Sequence, residues 1–263
     1  MNEQQIELVK LDRTIVKEET FMSPSFSKIG TGKFRLPPYF PIQSAINWAW
    51  LKWQAKTDFD RISDQLSAVL DGTLTPERIA DADERGKRDK FDWFVLVAAI
   101  LSGRLGILRK VAEQTKYSLP GGYYCQALAG LIRARATGDA GREREQYDIV
   151  CTRKNFEDFP SPAKPLLRAF VDRNYSALEK EVVKGAKKHW TDRFMGKPSI
   201  PVLIKDEPDD IVLNIANKYS SFLWPYVEAA FAKLAILDGA VIKYDDLWFP
   251  LKFISTWIDS GAT

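Results

Sequence analysis

The most continuous hydrophobic pattern in the chain lies between Ser220 and Phe253. Its apolar and small residues recur at three- and four-residue steps, with further Ala side chains between them: Leu223, Val227, Ala229, Ala230, Phe231, Ala232, Leu234, Ala235 and Leu237. This spacing predicts an α-helix that is apolar on nearly all sides, and such a helix belongs inside a domain. Asp238 and Gly239 end the pattern, because Gly suits the left-handed conformation that closes many helices. A second apolar run, from Leu247 to Phe253, is predicted to pack as the closing segment.

Three earlier stretches repeat an apolar helix, a short polar or Gly-containing turn and a partner helix. They cover residues 91–114, 123–150 and 166–190, and in the first of them we expect a helix through Leu105 and its partner from Gly106. Two helices joined in this way form a helical hairpin. The units differ in length and share no consensus, so they do not predict a tetratricopeptide or ankyrin array. The predicted fold is mostly α, with stacked antiparallel helical hairpins in an irregular α-solenoid or bundle and helix in more than about half of the residues.

Helical periodicity also runs from Ile42 to Leu70, where we expect Gly72 to stop it. Trp48 and Trp50 project about 200° apart on a helix, so either this helix lies between two layers or one indole is exposed as a partner contact. Further along, Thr75 and Pro76 predict the start of another helix. Residues 81–90 are charged with mixed sign and predict a solvated helix end and a connecting loop.

Residues 1–41 lack a regular pattern, because Ser-Pro, Gly-Thr-Gly and Pro-Pro steps interrupt it. Aromatic residues are nevertheless spread through this part of the chain, and they would be costly to leave in water. We therefore predict an irregular N-terminal arm over residues 1–41, docked on a single helical domain over residues 42–263.

Composition and charge favour a folded protein that binds no nucleic acid and spans no membrane. Apolar residues make up 45% of the 263 and aromatic residues 12%, which excludes a disordered chain. The net charge of +3 is spread along the sequence, whereas a nucleic-acid binder usually concentrates a basic stripe, so we expect no nucleic-acid partner. The first ten residues lack the basic segment followed by an apolar segment that marks a secretion signal. No apolar run in the chain approaches the roughly 20 residues of a membrane span. We expect a cytoplasmic protein with no membrane association and with Cys125 and Cys151 reduced.

Candidate chemistry is sparse. His189 is the single histidine, and its predicted place is the end of a helix, where a cation complements the helix dipole. No nucleophile elbow and no Glu-x-x-His pair occur, so we expect no catalytic residue, no cofactor and no metal site. An acidic run contains Asp206, Glu207, Asp209 and Asp210. It could hold a hard cation, contact a partner or cap a helix starting at Ile211.

The order of elements in the C-terminal part resembles the immunity protein 49 family, whose members are encoded beside polymorphic toxins in bacteria. The resemblance covers residues 91–253, and the positions that match the family's closing segment are Gly239, Tyr244, Asp245, Asp246, Leu247 and Pro250. It implies a cytoplasmic antidote that binds and blocks a cognate effector toxin by stoichiometric occlusion, without catalytic residues. The expected partner-binding residues are Asp206, Glu207, Asp209, Asp210 and Trp50.

Two other functions remain open from the sequence. A helical-repeat scaffold that binds a protein of an unrelated pathway would share the hairpins, and its mark would be a concave face rich in exposed aromatic and basic residues. A helical enzyme or ligand-binding protein would need a pocket with convergent polar groups, which a sequence does not display.

Overall fold

The computed structural model describes Glu19, Met22 and residues 38–120, 122–153, 162–190, 224–246 and 249–258. Helices contain 75% of these residues, which confirms the predicted mostly α fold. Within the described residues, β pairing is limited to one isolated parallel bridge between Arg104 and Ile258.

Eleven helices follow one another in this described part of the chain. They are α1 (Phe40–Gln54), α2 (Phe59–Thr73), α3 (Pro76–Glu84), α4 (Arg88–Ser102), α5 (Leu105–Gln114), α6 (Tyr124–Thr137), α7 (Ala140–Thr152), α8 (Lys164–Val171), α9 (Tyr175–Trp190), α10 (Tyr226–Leu237) and α11 (Leu251–Ser255). Contacts join α4 to α5, α6 to α7, α8 to α9 and α10 to α11, so the predicted hairpins are present. They stack on one another, since α6 also contacts α4 and α7 also contacts α8.

Helix α4 lies at the centre of the core. Its residues from Phe91 to Ser102 are all buried, and it contacts α1, α2, α3, α5, α6 and α10. Helix α10 is buried over most of its surface, as its sequence predicts. Phe231 of α10 packs edge-on against Phe170 of α8, with ring centres 4.9 Å apart.

The helical pattern from Ile42 to Leu70 is interrupted between α1 and α2. Lys56 there adopts a left-handed φ of 61°, a conformation that is uncommon for residues other than Gly. The expected stop at Gly72 was wrong, because α2 continues to Thr73 and a helix tolerates one Gly at a cost of about 1 kcal/mol. Trp48 and Trp50 are each 6% exposed, so α1 lies between two layers.

The charged connector is shorter than predicted, because α3 continues to Glu84 and α4 begins at Arg88. The side chain of Thr75 accepts from the backbone N–H of Arg78, so the predicted start of α3 is confirmed. Arg88 donates to Asp92 at 2.6 Å and to the carbonyl of Gln114 at 2.8 Å. Asp92 is 1% exposed, and burial raises its pKa although Arg88 opposes the shift. This buried pair fixes the start of α4, where a solvated loop was expected.

Two glycines with left-handed φ shape the C-terminal region. Gly239, with φ of 93°, follows α10 as predicted. Gly103, with φ of 70°, ends α4, so this helix stops before the predicted Leu105. A Cβ atom on Gly103 would lie 2.8 Å from the carbonyl oxygen of Thr256, and the N–H of Ile258 donates to the Gly103 carbonyl at 2.8 Å. The glycine therefore leaves room for the segment after α11 to cross the end of α4.

Nearly all of the buried apolar residues belong to one cluster that extends from Ile42 to Ile254 and includes Met22. Of the predicted N-terminal arm, the described residues are Glu19, Met22 and those from Pro38 onward. The domain boundaries stay a prediction.

Candidate functional site

Lys233 of α10 has no exposed surface. Its Nζ donates to the carbonyl oxygens of Phe253 and Ile254, at 3.5 and 3.1 Å, and to that of Thr256. These carbonyls lie at the carboxyl end of α11, where a helix leaves its last C=O groups without internal partners. Lys233 therefore closes α11 at the end where the helix dipole favours a cation.

Aromatic rings surround the rest of the Lys233 ammonium group. Nζ lies 5.0 Å from the ring centre of Phe59 and 4.8 Å from that of Trp257, both within the range of a cation–π interaction. Burial lowers the pKa of Lys233 from 10.5 to about 7, and no carboxylate of the described chain opposes that shift. A lysine of this kind can serve as a base or nucleophile when substrate reaches it. Here the nitrogen is enclosed and bound to backbone, which favours a structural role.

An open cleft of about 800 Å³ adjoins this cluster, between the α1–α2 turn and α11. It is lined by Trp53, Lys56, Thr57, Asp58, Phe59, Asp60, Arg61, Lys252 and Thr256. Phe59 and Thr256 also contact Lys233, so the cleft and the buried lysine share one wall.

A second cavity, of about 400 Å³, lies beside α1 and α2. Glu19 accepts a hydrogen bond from the indole N–H of Trp48 at 3.0 Å and pairs with Lys52 at 2.9 Å. Burial raises the pKa of Glu19, but its bonds with Lys52 and Trp48 outweigh that effect and lower it. Met22 is 7% exposed and belongs to the core. These two residues of the N-terminal segment thus contact the helices, and the docking of the whole arm stays a prediction.

Arg135 joins four helices from inside the core. Its side chain is 4% exposed, and it donates to Glu143 of α7, to Asp238 after α10 and, at 2.6 Å, to the carbonyl of Phe170 in α8. Its guanidinium carbon lies 3.9 Å from the ring centre of Phe170. Burial, the largest effect, lowers the pKa of Arg135, but Glu143 and Asp238 together raise it above its ordinary value. Arg173 also reaches Glu143, at 3.3 Å.

The segment from Tyr117 to Tyr123, here called the 117–123 loop, presents two large apolar side chains to solvent. Leu119 is 76% exposed and Tyr123 is 67% exposed. The base of the loop is fixed, because the fully buried amide of Gln146 accepts from the N–H of Ser118 at 2.9 Å and donates to its carbonyl at 3.0 Å. Gln146 thus fixes Ser118, the residue next to the exposed Leu119.

Arginine side chains flank the base of the loop. The guanidinium carbons of Arg133 and Arg142 lie 4.2 and 5.5 Å from the ring centre of Tyr117. Arg133 also donates to the carbonyl of Thr115. Together with the hydrogen bonds of Gln146 to Ser118, these contacts stabilise the base of the loop.

The acidic residues expected to bind a partner, Asp206, Glu207, Asp209 and Asp210, lie outside the described residues. Trp50 is 6% exposed, and a partner contact there stays a prediction that this burial does not support. His189 lies in the last turn of α9, as expected of a residue that ends a helix. Cys125 and Cys151 form no disulfide. Within the described residues, no group of three or more His, Cys, Asp or Glu could hold a metal ion.

Sequence reasoning missed both Lys233 and Arg135. For Lys233 a signal was present, since a charged residue in a helix that is apolar on nearly all sides must be buried and needs partners. Arg135 carries no such signal, because it alternates with Ala in a run that also contains Arg133. Two of its partners, Phe170 and Asp238, come from distant parts of the chain, and the third, Glu143, lies in the next helix.

Comparison of the chain with protein-family models, with curated proteins and with solved structures found no match. The resemblance to the immunity protein 49 family therefore rests on the residues quoted above. In the described part of the chain, no helix combines the length and apolar character needed to cross a bilayer.

Proposed function

We propose that this protein is a cytoplasmic immunity protein that binds a cognate bacterial effector toxin and blocks it by stoichiometric occlusion. The observation that carries the proposal is the 117–123 loop, where Leu119 and Tyr123 are exposed above a fixed base. Exposed apolar and aromatic side chains are costly in water and are the kind that contributes most to interfaces once a partner covers them. The resemblance to the immunity family supplies the class of partner.

The fixed base of the loop supports tight binding. A loop that must become ordered on association costs binding free energy, whereas a loop already held in place avoids most of that cost. Gln146 holds both backbone groups of Ser118, so the residue next to Leu119 is ordered before any partner arrives.

Three buried charged groups serve the fold and are therefore compatible with a binding role. Lys233 closes α11, Arg135 joins four helices, and Asp92 pairs with Arg88 at the start of α4. Their side chains are enclosed and already have partners inside the protein.

The test uses the product of the gene immediately upstream, which we expect to encode the toxin. Its expression alone should arrest bacterial growth, and co-expression of this protein should restore growth. The two purified proteins should form a complex of fixed stoichiometry, measured by size-exclusion chromatography with light scattering. Failure of both rescue and binding would overturn the proposal.

Two variants test the loop. Leu119→Asp combined with Tyr123→Ser should weaken the complex by about tenfold or more, since residues that dominate an interface contribute about 2 kcal/mol or more each. Val241→Ser is the matched control, because Val241 is also exposed, at 72%, but lies after α10. Equal affinities for the double variant and the control would place the interface elsewhere. Binding to a harmless protein through the same loop would instead favour the interaction scaffold.

A further inference from the structure

The cleft between the α1–α2 turn and α11 collects five charged side chains that form no ion pairs. Three are cations and two are anions: Lys56, Arg61, Lys252, Asp58 and Asp60. All five are exposed, and none of them has a hydrogen-bonding or ionic side-chain partner in the described chain. Elsewhere on the described surface many cations are paired, as in Lys110 with Asp71 and Arg142 with Glu145. The cleft thus leaves its charges available to a ligand.

The floor of the cleft is aromatic and firmly packed. Trp53 and Phe59 both contact the fully buried Phe253, with ring centres 5.5 and 5.4 Å away. These two rings line the cleft, so an apolar body entering it would lie against a rigid surface. A volume of about 800 Å³ falls in the range of about 300 to 1,000 Å³ that is typical of small-molecule sites.

The charges of the cleft have a positive balance. The three cations exceed the two acids by one. Asp58 makes no capping hydrogen bond at the amino end of α2, and Asp60 lies in the first turn, where its charge complements the helix dipole. The field in the cleft therefore favours an anion over a cation.

We propose that this cleft binds a small organic anion, with its carboxylate or phosphate group on Arg61 and Lys252 and its apolar or aromatic body on Trp53 and Phe59. Arg61 offers a planar donor fork that matches either kind of oxyanion, and Lys252 adds a point charge. The proposal is independent of toxin binding, because the cleft lies between the α1–α2 turn and α11 and not at the 117–123 loop.

Phenyl phosphate is the first probe, because it combines an aromatic ring with a dianion, and calorimetric titration of the full-length protein measures its affinity. Inorganic phosphate, which has no ring, and benzoate, which has a carboxylate in place of the phosphate, separate the contribution of the anion from that of the aromatic ring. If the anion and the ring both contribute, phenyl phosphate binds more tightly than inorganic phosphate. If benzoate and phenyl phosphate bind equally, the site takes carboxylates as readily as phosphates, which also agrees with the proposal.

Charge variants give the decisive result, because the two signs of charge predict opposite effects. Arg61→Gln with Lys252→Gln should weaken phenyl phosphate by about fivefold or more, since charge-assisted hydrogen bonds are lost. Asp58→Asn with Asp60→Asn should strengthen the binding of phenyl phosphate, since two negative charges that repel this anion are removed. All four side chains are exposed, so the thermal midpoint should stay close to that of the wild type.

Lys180→Gln is the matched control, because Lys180 is an exposed cation on α9 with no part in the cleft. It should leave the affinity unchanged. Absence of phenyl phosphate binding at millimolar concentration would overturn the proposal. An equal loss of affinity in Lys180→Gln and in the Arg61–Lys252 double variant would also overturn it, because it would indicate general attraction of the anion to a positively charged protein. Weaker phenyl phosphate binding by the Asp58–Asp60 variant would overturn it as well.

Discussion

Glu228 of α10 packs directly against Gly185 of α9. A Cβ atom on Gly185 would lie 2.5 Å from Oε1 and 2.7 Å from Cγ of Glu228, so the glycine makes the space in which the carboxylate lies. Burial raises the pKa of Glu228 from 4.5 to about 7, and a hydrogen bond from its own backbone N–H only partly opposes the shift. Among the described residues, no cation pairs with this side chain.

We predict that Glu228 makes the protein less stable as the pH rises from about 4.5 to 7. In that window the folded protein keeps a proton that the unfolded chain has released, so the free energy of unfolding falls with rising pH. Glu228→Gln keeps the shape of the protonated acid and should remove this loss, on the order of 3 kcal/mol above pH 7. Thermal melts of both proteins at pH 4.5 and pH 8 check this. Glu113→Gln, at an exposed site, is the control, and a difference between Glu228→Gln and wild type that is the same at both pH values would contradict the prediction.

Lys233 should have the opposite effect at higher pH. Its folded pKa of about 7 is below the ordinary 10.5, so between these values the unfolded chain binds a proton that the folded protein has released. The free energy of unfolding should therefore rise with pH in this window. Lys233→Met removes the titrating group, and urea unfolding at pH 7 and pH 9.5 should show a smaller increase for the variant. The same increase in both proteins would show that other groups cause it.

Arg135→Met should destabilise the protein by about 3 to 5 kcal/mol, because Glu143 is left as a buried carboxylate with only Arg173 beside it. Adding Glu143→Met and Asp238→Asn should recover part of the loss, since the unpaired charges are then removed as well. Urea unfolding of the single and triple variants measures both effects. Arg142→Ala, which removes an exposed ion pair on α7, should leave the stability almost unchanged. A triple variant less stable than Arg135→Met would contradict the argument.

Phe231→Ala should cost about 3 to 5 kcal/mol through lost burial and a residual cavity. Phe231 is fully buried at the centre of α10 and in contact with Phe170, so the space cannot be filled from solvent. The midpoint of thermal unfolding measures the effect. An unchanged midpoint would show that α10 is not central to the core.

Neutralising Asp206, Glu207, Asp209 and Asp210 to Asn or Gln tests the remaining part of the expected interface. If these acids face a basic cleft of the toxin, association should become slower and less sensitive to salt. Stopped-flow or surface-binding rates with the purified toxin at low and high salt measure this. If the acids only cap a helix at Ile211, the variant should lose about 1 kcal/mol of stability and keep its association rate.

Helical periodicity was enough to predict the hairpins, because each helix buries a face whose spacing is readable over ten or more residues. It did not predict the break at Lys56, since a left-handed residue without Gly or Pro gives no local signal. It also missed the pairing of Arg88 with Asp92, because a charged run looks the same whether it is solvated or ordered by a buried ion pair.

The candidate sites depend still more on tertiary structure. Lys56, Lys252 and Asp60 come from two ends of the sequence and share a cleft only because α11 packs beside the α1–α2 turn. Likewise, Leu119 and Tyr123 are ordinary loop residues in sequence, and their importance follows from the hold of Gln146 on Ser118. Sequence reasoning instead favoured the acidic run, where charge density is visible without a fold.

The position of α4 also has a consequence for synthesis of the protein. Its surroundings include α10, which the ribosome makes only after the five described helices from α5 to α9. The segment that crosses the end of α4 at Gly103 comes later still, at Thr256 to Ile258. A helix that is buried from Phe91 to Ser102 must therefore wait until residues up to Ile258 have emerged before its contacts are complete, and during that interval it is exposed to aggregation and to chaperones.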